Sequence, residues 1–250
     1  MPRKMMTMKI ERYSRQIRFE PVGEVGQLRL CDSIALIVGC GALGTASAEM
    51  LVRAGVNVRI IDNDIVEESN LQRQSLFDEK DIDVPKHLAA SRKLSCINSD
   101  VVIDAIDVKM DINNADNLVD GVRVIIDCTD NFETRFIIND TAIRHGVPWI
   151  YGACGGATGM MMPIIKDKSP CLRCLFPDGA EQMPSPDQHG IISPAVKIVA
   201  SLQVSEALKI LTGNLNAVSY GLTTFDLWDY SFKRINLGMP RPDCPLKRQL

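Results

Sequence analysis

Between residues 39 and 131 the chain carries, in order, a glycine turn, an acid, a polar cluster holding one arginine, a lysine at a helix start and a second acid. These are the residue types needed to hold a nucleotide. The turn reads Gly39-Cys40-Gly41-Ala42-Leu43-Gly44. In such a turn the first glycine permits the tight bend, the second lets backbone amides approach phosphate, and the third lets the helix pack close to the strand. Asp62 closes the next strand, where an acid accepts hydrogen bonds from ribose hydroxyls. Past it, Asp64, Glu67, Glu68, Ser69, Asn70, Gln72, Arg73 and Gln74 form a cluster too polar for a packed element. Asn70 and Arg73 stand where they can reach a phosphate chain beyond the ribose; the alternative is a solvated loop. Lys86 falls in a first helical turn, where a cation opposes the helix dipole, so it either points at an anion or extends into water. Asp130, followed by Asn131, ends a parallel strand at the edge where open α/β sheets bind ligands. An acid there can cap the next helix and also bind Mg²⁺.

These residues need a frame that gathers strand ends. Residues 34–38 read as a strand buried on both faces. A helix follows the glycine turn to about Arg53, with Gly55 at its C-terminal end, and residues 58–61 are the next strand. Together they make a complete βαβ unit. Pro85 is placed at the first position of a helix running through Lys86, Leu88, Ala89, Leu94 and Ile97. Residues 101–106 and 122–127 are expected as the third and fourth strands, 132–145 as a helix closed by Gly146, and 148–151 as the start of a fifth strand. Gly152, Gly155, Gly156 and Gly159 read as tight turns. A long crossing loop over 175–194 follows. The apolar residues of 195–211 surround most of a helix begun by Ser193-Pro194 and stopped by Gly213, which predicts a buried helix or a subunit contact. Residues 223–228 and 231–237 read as antiparallel strands. Ahead of the first strand, residues 11–30 read as a helical arm broken by Gly23 and Gly26. Its Arg12, Arg15 and Arg18 are either surface charge or a cationic finger over a phosphate.

The expected fold class is α/β: a Rossmann-like, doubly wound, mostly parallel sheet continued by antiparallel strands. An arm (1–30), a nucleotide-binding region (31–165) and a remainder with crossing loop and cysteine-containing tail (166–250) make one continuous domain.

Length and composition agree with that class. The chain has 250 residues, 46% of them hydrophobic and 24% charged, enough for a sizeable core. A net charge of -3 and a pI near 5.7 argue against a nucleic-acid partner. No apolar run approaches the ~18 residues that span a bilayer, so no membrane partner is expected. MPRKMMTMKI lacks the apolar core of a signal peptide, and the chain reads as cytoplasmic. Of eight cysteines, most sit in apolar runs as small hydrophobes. Only Cys171-Leu-Arg-Cys174 has metal or redox spacing.

With RYSRQ (12–16), SNLQRQ (69–74), Pro85-Lys86, DCTDNFETR (127–135) and the CLRC pair, the chain from about Arg12 to Cys244 resembles the ThiF/MoeB/HesA family. Those enzymes adenylate ubiquitin-like sulfur carriers. YGAC (151–154) with GIISPAVKIVAS (190–201) is similar to the ThiF branch. The resemblance implies an ATP- and Mg²⁺-dependent adenylyltransferase, in which a carrier's C-terminal glycine carboxylate attacks the α-phosphorus and pyrophosphate leaves. The carrier would be ThiS-like, of thiazole biosynthesis, or MoaD-like, of molybdopterin synthesis. It further implies that Arg73 and Lys86 hold the phosphates, that Asn70 and Gln74 orient them, and that Asp130 holds Mg²⁺. Gly39, Gly41, Gly44, Asp62, Asp64 and Asn131 complete the nucleotide site. Arg15 would come from the other subunit of a homodimer.

Two departures from the family pattern stand out. Its zinc site uses two C-x-x-C pairs, whereas the second reads Cys244-Pro245-Leu246-Lys247 here. Cys171, Cys174 and Cys244 are an incomplete set, to be completed by water or another residue, or left without zinc. Pro186 stands where many relatives carry a cysteine that takes up the carrier covalently; adenylation does not need it. Two other functions compete. An NAD-dependent oxidoreductase would have to account for Asn70, Arg73 and Lys86, and no His/Tyr/Lys hydride site is visible. A catalytically degenerate carrier-binding scaffold would have no need to keep Arg73, Lys86 and Asp130 together.

Overall fold

The computed structural model of the chain describes residues 10–176 and 190–247. Two helices, α1 (Ile10–Ile17) and α2 (Gly23–Asp32), precede the sheet. Then come β1 (Ile34–Val38), α3 (Ala42–Arg53), β2 (Asn57–Ile61), α4 (Lys86–Ile97), β3 (Ile103–Ile106), α5 (Ala115–Leu118), β4 (Val124–Asp127) and α6 (Phe132–His145). The chain finishes with β5 (Trp149–Gly155), β6 (Thr158–Ile164), α7 (Leu172–Leu175), α8 (Ser193–Thr212), β7 (Leu222–Asp226) and β8 (Ser231–Ile235). One sheet runs β3-β2-β1-β4-β5-β6-β7-β8. Its first five strands are parallel and the last three continue it antiparallel.

β1 has no polar face because it is covered on both. Ala35 and Ile37 pack with Leu51, Val52, Ala89 and Leu94 of α3 and α4, while Leu36 and Val38 pack with Leu118, Ile138 and Ala142 of α5 and α6. The helices therefore lie on both faces of the parallel half, and the strand order reverses between β1 and β4. Such a switch point opens a crevice at the carboxyl ends of the strands.

Several local expectations change. Gly23 takes a left-handed φ of +56° and starts α2, so the arm breaks there. Gly26 does not break it. It lies inside α2, and a Cβ at this position would meet Thr212 Cγ2 of α8 at 3.2 Å, so glycine serves close helix packing. Pro85 is the N-cap of α4, one place earlier than expected. The glycines after residue 151 are mostly strand. Gly152 and Gly155 lie in β5 and Gly159 in β6, a strand the sequence pattern did not suggest, and only Gly156, with φ +59°, turns the chain between them. A Cβ on Gly152 would reach within 2.3 Å of Gln203, and one on Gly159 within 2.4 Å of Phe225. Small residues let α8 and the neighbouring strand seat against this hairpin. α8 itself packs its buried side (Ala195, Val196, Val199, Ala200) on α3 and the sheet. The crossing loop's end is tied back to the hairpin: Gly156 N–H donates to Gly190 O at 2.8 Å and Ile192 N–H to Gly156 O at 3.0 Å. Pro186 lies outside the described residues. No helix among the described residues is long and apolar enough to cross a membrane.

Candidate functional site

A cleft of about 890 Å³ opens at the carboxyl edge of the sheet, lined from the ends of β1, β2, β4 and β5, the stretch after β3, and the segments that follow them. The glycine turn forms its floor. Gly39 has φ +93°, and a Cβ there would sit 2.8 Å from Cys128 O, while one on Gly44 would sit 2.0 Å from Gly39 O. Gly41 has open space above it: a Cβ there would meet only Gln74 Nε2, at 3.9 Å. It is the N-cap of α3 and supplies no side-chain cap, so the helix presents unpaired amides to the cleft. A helix N-terminus in that state is suited to an anion.

Asp62 is turned inward to build this floor. Its Oδ2 accepts from Cys40 N–H at 2.6 Å and its Oδ1 from Asp64 N–H at 2.8 Å, which ties the glycine turn to the end of β2. Burial raises its carboxyl above the usual range, and those two amides and Lys86 oppose the rise. Each oxygen keeps a lone pair for a further donor.

The polar cluster folds as a structured turn rather than a solvated loop. Glu67 and Asn70 close a reciprocal capping box around a short 3₁₀ turn, Glu68–Asn70. Asn70 thereby serves the backbone: its Oδ1 accepts from Glu67 N–H at 3.2 Å and its amide donates to Ser69 Oγ at 3.3 Å. The turn presents Arg73, whose Nη1 donates to Ser69 O at 2.9 Å, to the cleft. Gln74 is 3% exposed, and its Oε1 has no hydrogen-bond partner among the described residues. Lys86 is buried at 7% exposure with its Nζ 2.8 Å from Asp64 Oδ2. The first-turn lysine therefore points into the cleft, and Asp64 is its counter-ion.

Across the cleft, Asn131 caps α6 by accepting from Thr134 N–H at 2.9 Å. Asp130 does not cap. It is exposed on the cleft wall with Oδ1 accepting from Asn131 Nδ2 at 3.1 Å, which leaves its other oxygen for a cation.

The structure brings Gly39, Gly41, Asp62, Asp64, Asn70, Arg73, Gln74, Lys86, Asp130 and Asn131 to one cleft, with Gly44 packed beneath. It does not bring Arg15 there. α1 is held at the opposite edge of the sheet, where Asn98 donates to Tyr13 Oη at 2.9 Å and Gln16 to Ala54 O at 3.2 Å. Both partners precede strands, so Arg15, exposed near Tyr13 on the same short helix, faces away from its own chain's cleft.

Sequence reasoning gave no role to Asp127 and Arg135. Asp127 is fully buried and Arg135 is 4% exposed, and they pair at 3.2 Å. Burial raises the Asp127 carboxyl, while Arg135 and two donors from Thr129 pull it back. Arg135 also donates to Thr129 O at 2.7 Å and to Gly152 O at 3.3 Å, between the rings of Phe132 and Tyr151, each 5.1 Å away. The signal available was one acid ending an otherwise apolar strand, with an arginine eight residues on, at the start of the following helix. From the other face, Gln203 donates to Asp127 O at 2.7 Å and Ile150 O at 3.1 Å. The pairing of β4 with β5 ends at Ile126 and Ile150, and these two side chains fill the gap where the strands part.

Cys154 and Cys128 also line the cleft. Burial pushes the Cys154 thiol up to about 11, against the pull of Arg135 and Arg73. Cys128 is likewise raised, by burial and by Asp127.

The second cluster lies away from the cleft. Cys171 Sγ is 3.8 Å from Cys174 Sγ and 3.5 Å from Cys244 Sγ, all buried. Zinc–sulfur bonds of ~2.3 Å in a tetrahedron separate sulfurs by ~3.8 Å. These two separations therefore match edges of such a site, and all three sulfurs lie within 4.8 Å of one another. Burial and the neighbouring cysteines push Cys171 up to about 12, and a metal would have to displace that proton. The side chain of Lys247 lies outside the described residues.

Comparison with known proteins gives the family and the fold. The ThiF family model matches residues 13–246. The chain is 46% identical over 241 residues to the sulfur carrier protein ThiS adenylyltransferase of Bacillus subtilis (strain 168), covering 94% of this chain and 70% of that protein. It is 37% identical over 204 residues to the protein of the same name from Escherichia coli (strain K12), covering 81% of each. Among solved structures it is similar to E. coli MccB with ATP, at TM-score 0.79 and 20% identity, covering 96% of this chain and 73% of that one, a likeness of fold.

Proposed function

The chain belongs to the ThiF family, and from that membership we propose that it adenylates the C-terminal carboxylate of a ThiS-like, ubiquitin-like sulfur carrier protein with ATP. The observation that carries this reading is the cleft itself. Uncapped α3 amides, Arg73 and Lys86 converge on one side, and an exposed Asp130 stands on the other. An oxidoreductase would use the α3 amides for a dinucleotide's pyrophosphate, but it has no third phosphate for Arg73 and Lys86 to meet.

ATP would lie with its ribose toward Asp62 and its phosphates over Gly41. The carrier's carboxylate attacks the α-phosphorus, an acyl–phosphate bond forms, and the bond to the β-phosphate breaks to release pyrophosphate. Such transfers depend on position and charge stabilisation rather than on covalent help from the protein. Lys86 and Arg73 neutralise the phosphate oxygens, and the uncapped amides of α3 add partial positive charge. Gln74, whose amide nitrogen lies over Gly41, donates to the chain of phosphates and so orients it. Asp130 supplies a carboxylate of the kind that holds Mg²⁺ together with phosphates, and that ion when bound spreads the charge of the leaving pyrophosphate. A ThiS-like carrier is favoured over a MoaD-like one by the two relatives named for ThiS.

Two further parts of the reading rest on placement. Arg15, facing away from its own cleft, would serve the cleft of a second copy in a homodimer. Cys171, Cys174 and Cys244 would hold a structural zinc with a fourth ligand from outside this set. The test of the main reading is carrier-dependent exchange of pyrophosphate into ATP, set against NAD binding. Exchange that needs the carrier supports it, and NAD binding without exchange overturns it.

A further inference from the structure

Arg135 has five N–H donors, and the structure accounts for three. Nε donates to Asp127, and Nη2 donates to Thr129 O and Gly152 O. Nη1 has no partner among the described residues, although the side chain is 4% exposed and borders the cleft. Nη1 opens to the cleft, so its two donors meet solvent there until a ligand takes them. Its location separates it from the other cations. Arg73 and Lys86 reach the cleft from the connection between β2 and β3, whereas Arg135 sits where β4 and β5 part, with β1 and the glycine turn between. Two to three strand spacings separate the backbones that carry them by roughly 10–15 Å. The Arg73 side chain spans part of that gap, since it acts on Cys154 as Arg135 does. Ala153, Cys154 and Ile191 line the cleft on the same side.

The adenylation reading requires a second anion, the attacking carboxylate, to approach a polyphosphate that repels it. Resting on that reading, we propose that Arg135 Nη1 receives the carrier's C-terminal carboxylate and sets it in line with the α-phosphorus. Its other donors fix the guanidinium by clamping the Asp130 loop to β5. Asp127 neutralises part of its charge, so the carboxylate is held firmly enough to orient and loosely enough to react.

The test measures binding of the same organism's ThiS-like carrier, without ATP, in two forms: one with its free C-terminal carboxylate and one with a C-terminal amide. Wild-type enzyme should bind the amide at least tenfold more weakly. Arg135→Lys, which cannot present a fixed Nη1, should shrink that ratio below twofold while a fluorescent ATP analogue binds within about twofold of wild type. Asp127→Asn, which removes the neutralising charge, should widen the ratio. A purely structural Arg135 would lose carrier and nucleotide binding together in both variants and leave any remaining ratio unchanged. That result overturns the proposal, as does a tenfold ratio that survives Arg135→Lys. Carrier that fails to bind wild type in either form overturns the adenylation reading along with it, whereas exchange that persists beside an unchanged ratio in Arg135→Lys overturns this inference alone.

Discussion

Lys86 turned inward because Asp64 is waiting for it. The ion pair at 2.8 Å lets a lysine be 7% exposed in the first turn of a helix that disfavours it. A phosphate would compete for the same Nζ. Lys86→Ala or Arg73→Ala should therefore lower pyrophosphate–ATP exchange by about 10²–10³-fold, the scale lost with a donor aimed at developing charge, with circular dichroism unchanged. Exchange at the wild-type rate in both would remove them from the site. Cys154 allows a sign to be worked out. Its thiol is pushed up to about 11 by burial, so the reactive thiolate is scarce at neutral pH and grows tenfold per pH unit until about 11. Iodoacetamide labelling of the Cys154 peptide, read by mass, should rise in that way and fall when ATP is present. Labelling already fast at pH 7 would contradict the buried environment. The candidate nucleotide residues were legible because each broke a local rule: glycines in a packed unit, a cation at a helix start, acids at strand ends. Asp127 left a mark of the same kind, as an acid ending β4, but no role followed from it. Its partner Arg135, eight residues on, is identified only once the fold turns it back to the strand end.

The βαβ unit from β1 to β2 was readable as an element because strand, turn, helix and acid agree with one another. The hairpin of β5 and β6 was not. Its glycines suggested turns, while their use is to admit Gln203, Val199 and Phe225 at close range. That is a tertiary demand which a local pattern cannot express. Gly26 misled in the same way, since its neighbour Thr212 is remote in sequence. The glycine turn makes the sharpest prediction at this scale. Gly44→Ala would put a methyl 2.0 Å from Gly39 O, a backbone atom held by β1 and the Cys128 segment. Destabilisation of about 3 kcal/mol or more is expected, seen as a melting temperature lowered by roughly 5–10 °C together with loss of ATP affinity. A wild-type melting curve would show that the turn relaxes freely and does not define the cleft floor.

At the scale of the whole molecule, one chain presents a nucleotide cleft at one edge of its sheet and Arg15 at the other. If two chains share sites, mixing inactive Arg15→Ala protein with inactive Arg73→Ala protein should restore activity. In random two-fold dimers half are mixed and each carries one intact site, so roughly a quarter of wild-type activity is expected. No recovery after subunit exchange is shown would retire the shared site. Metal analysis of the purified protein should find zinc near one per chain, and its removal by chelator should lower the melting temperature; metal-free protein with the same melting curve would leave the three cysteines as core. The central claim concerns the carboxylate and ATP together, and intact-mass measurement of the carrier reaches it directly. Incubated with this protein, ATP and Mg²⁺, a ThiS-like carrier ending in Gly-Gly should gain one adenylyl group at its C-terminus, and a carrier lacking the final glycine should gain none. An unmodified carrier beside intact ATP would contradict the account.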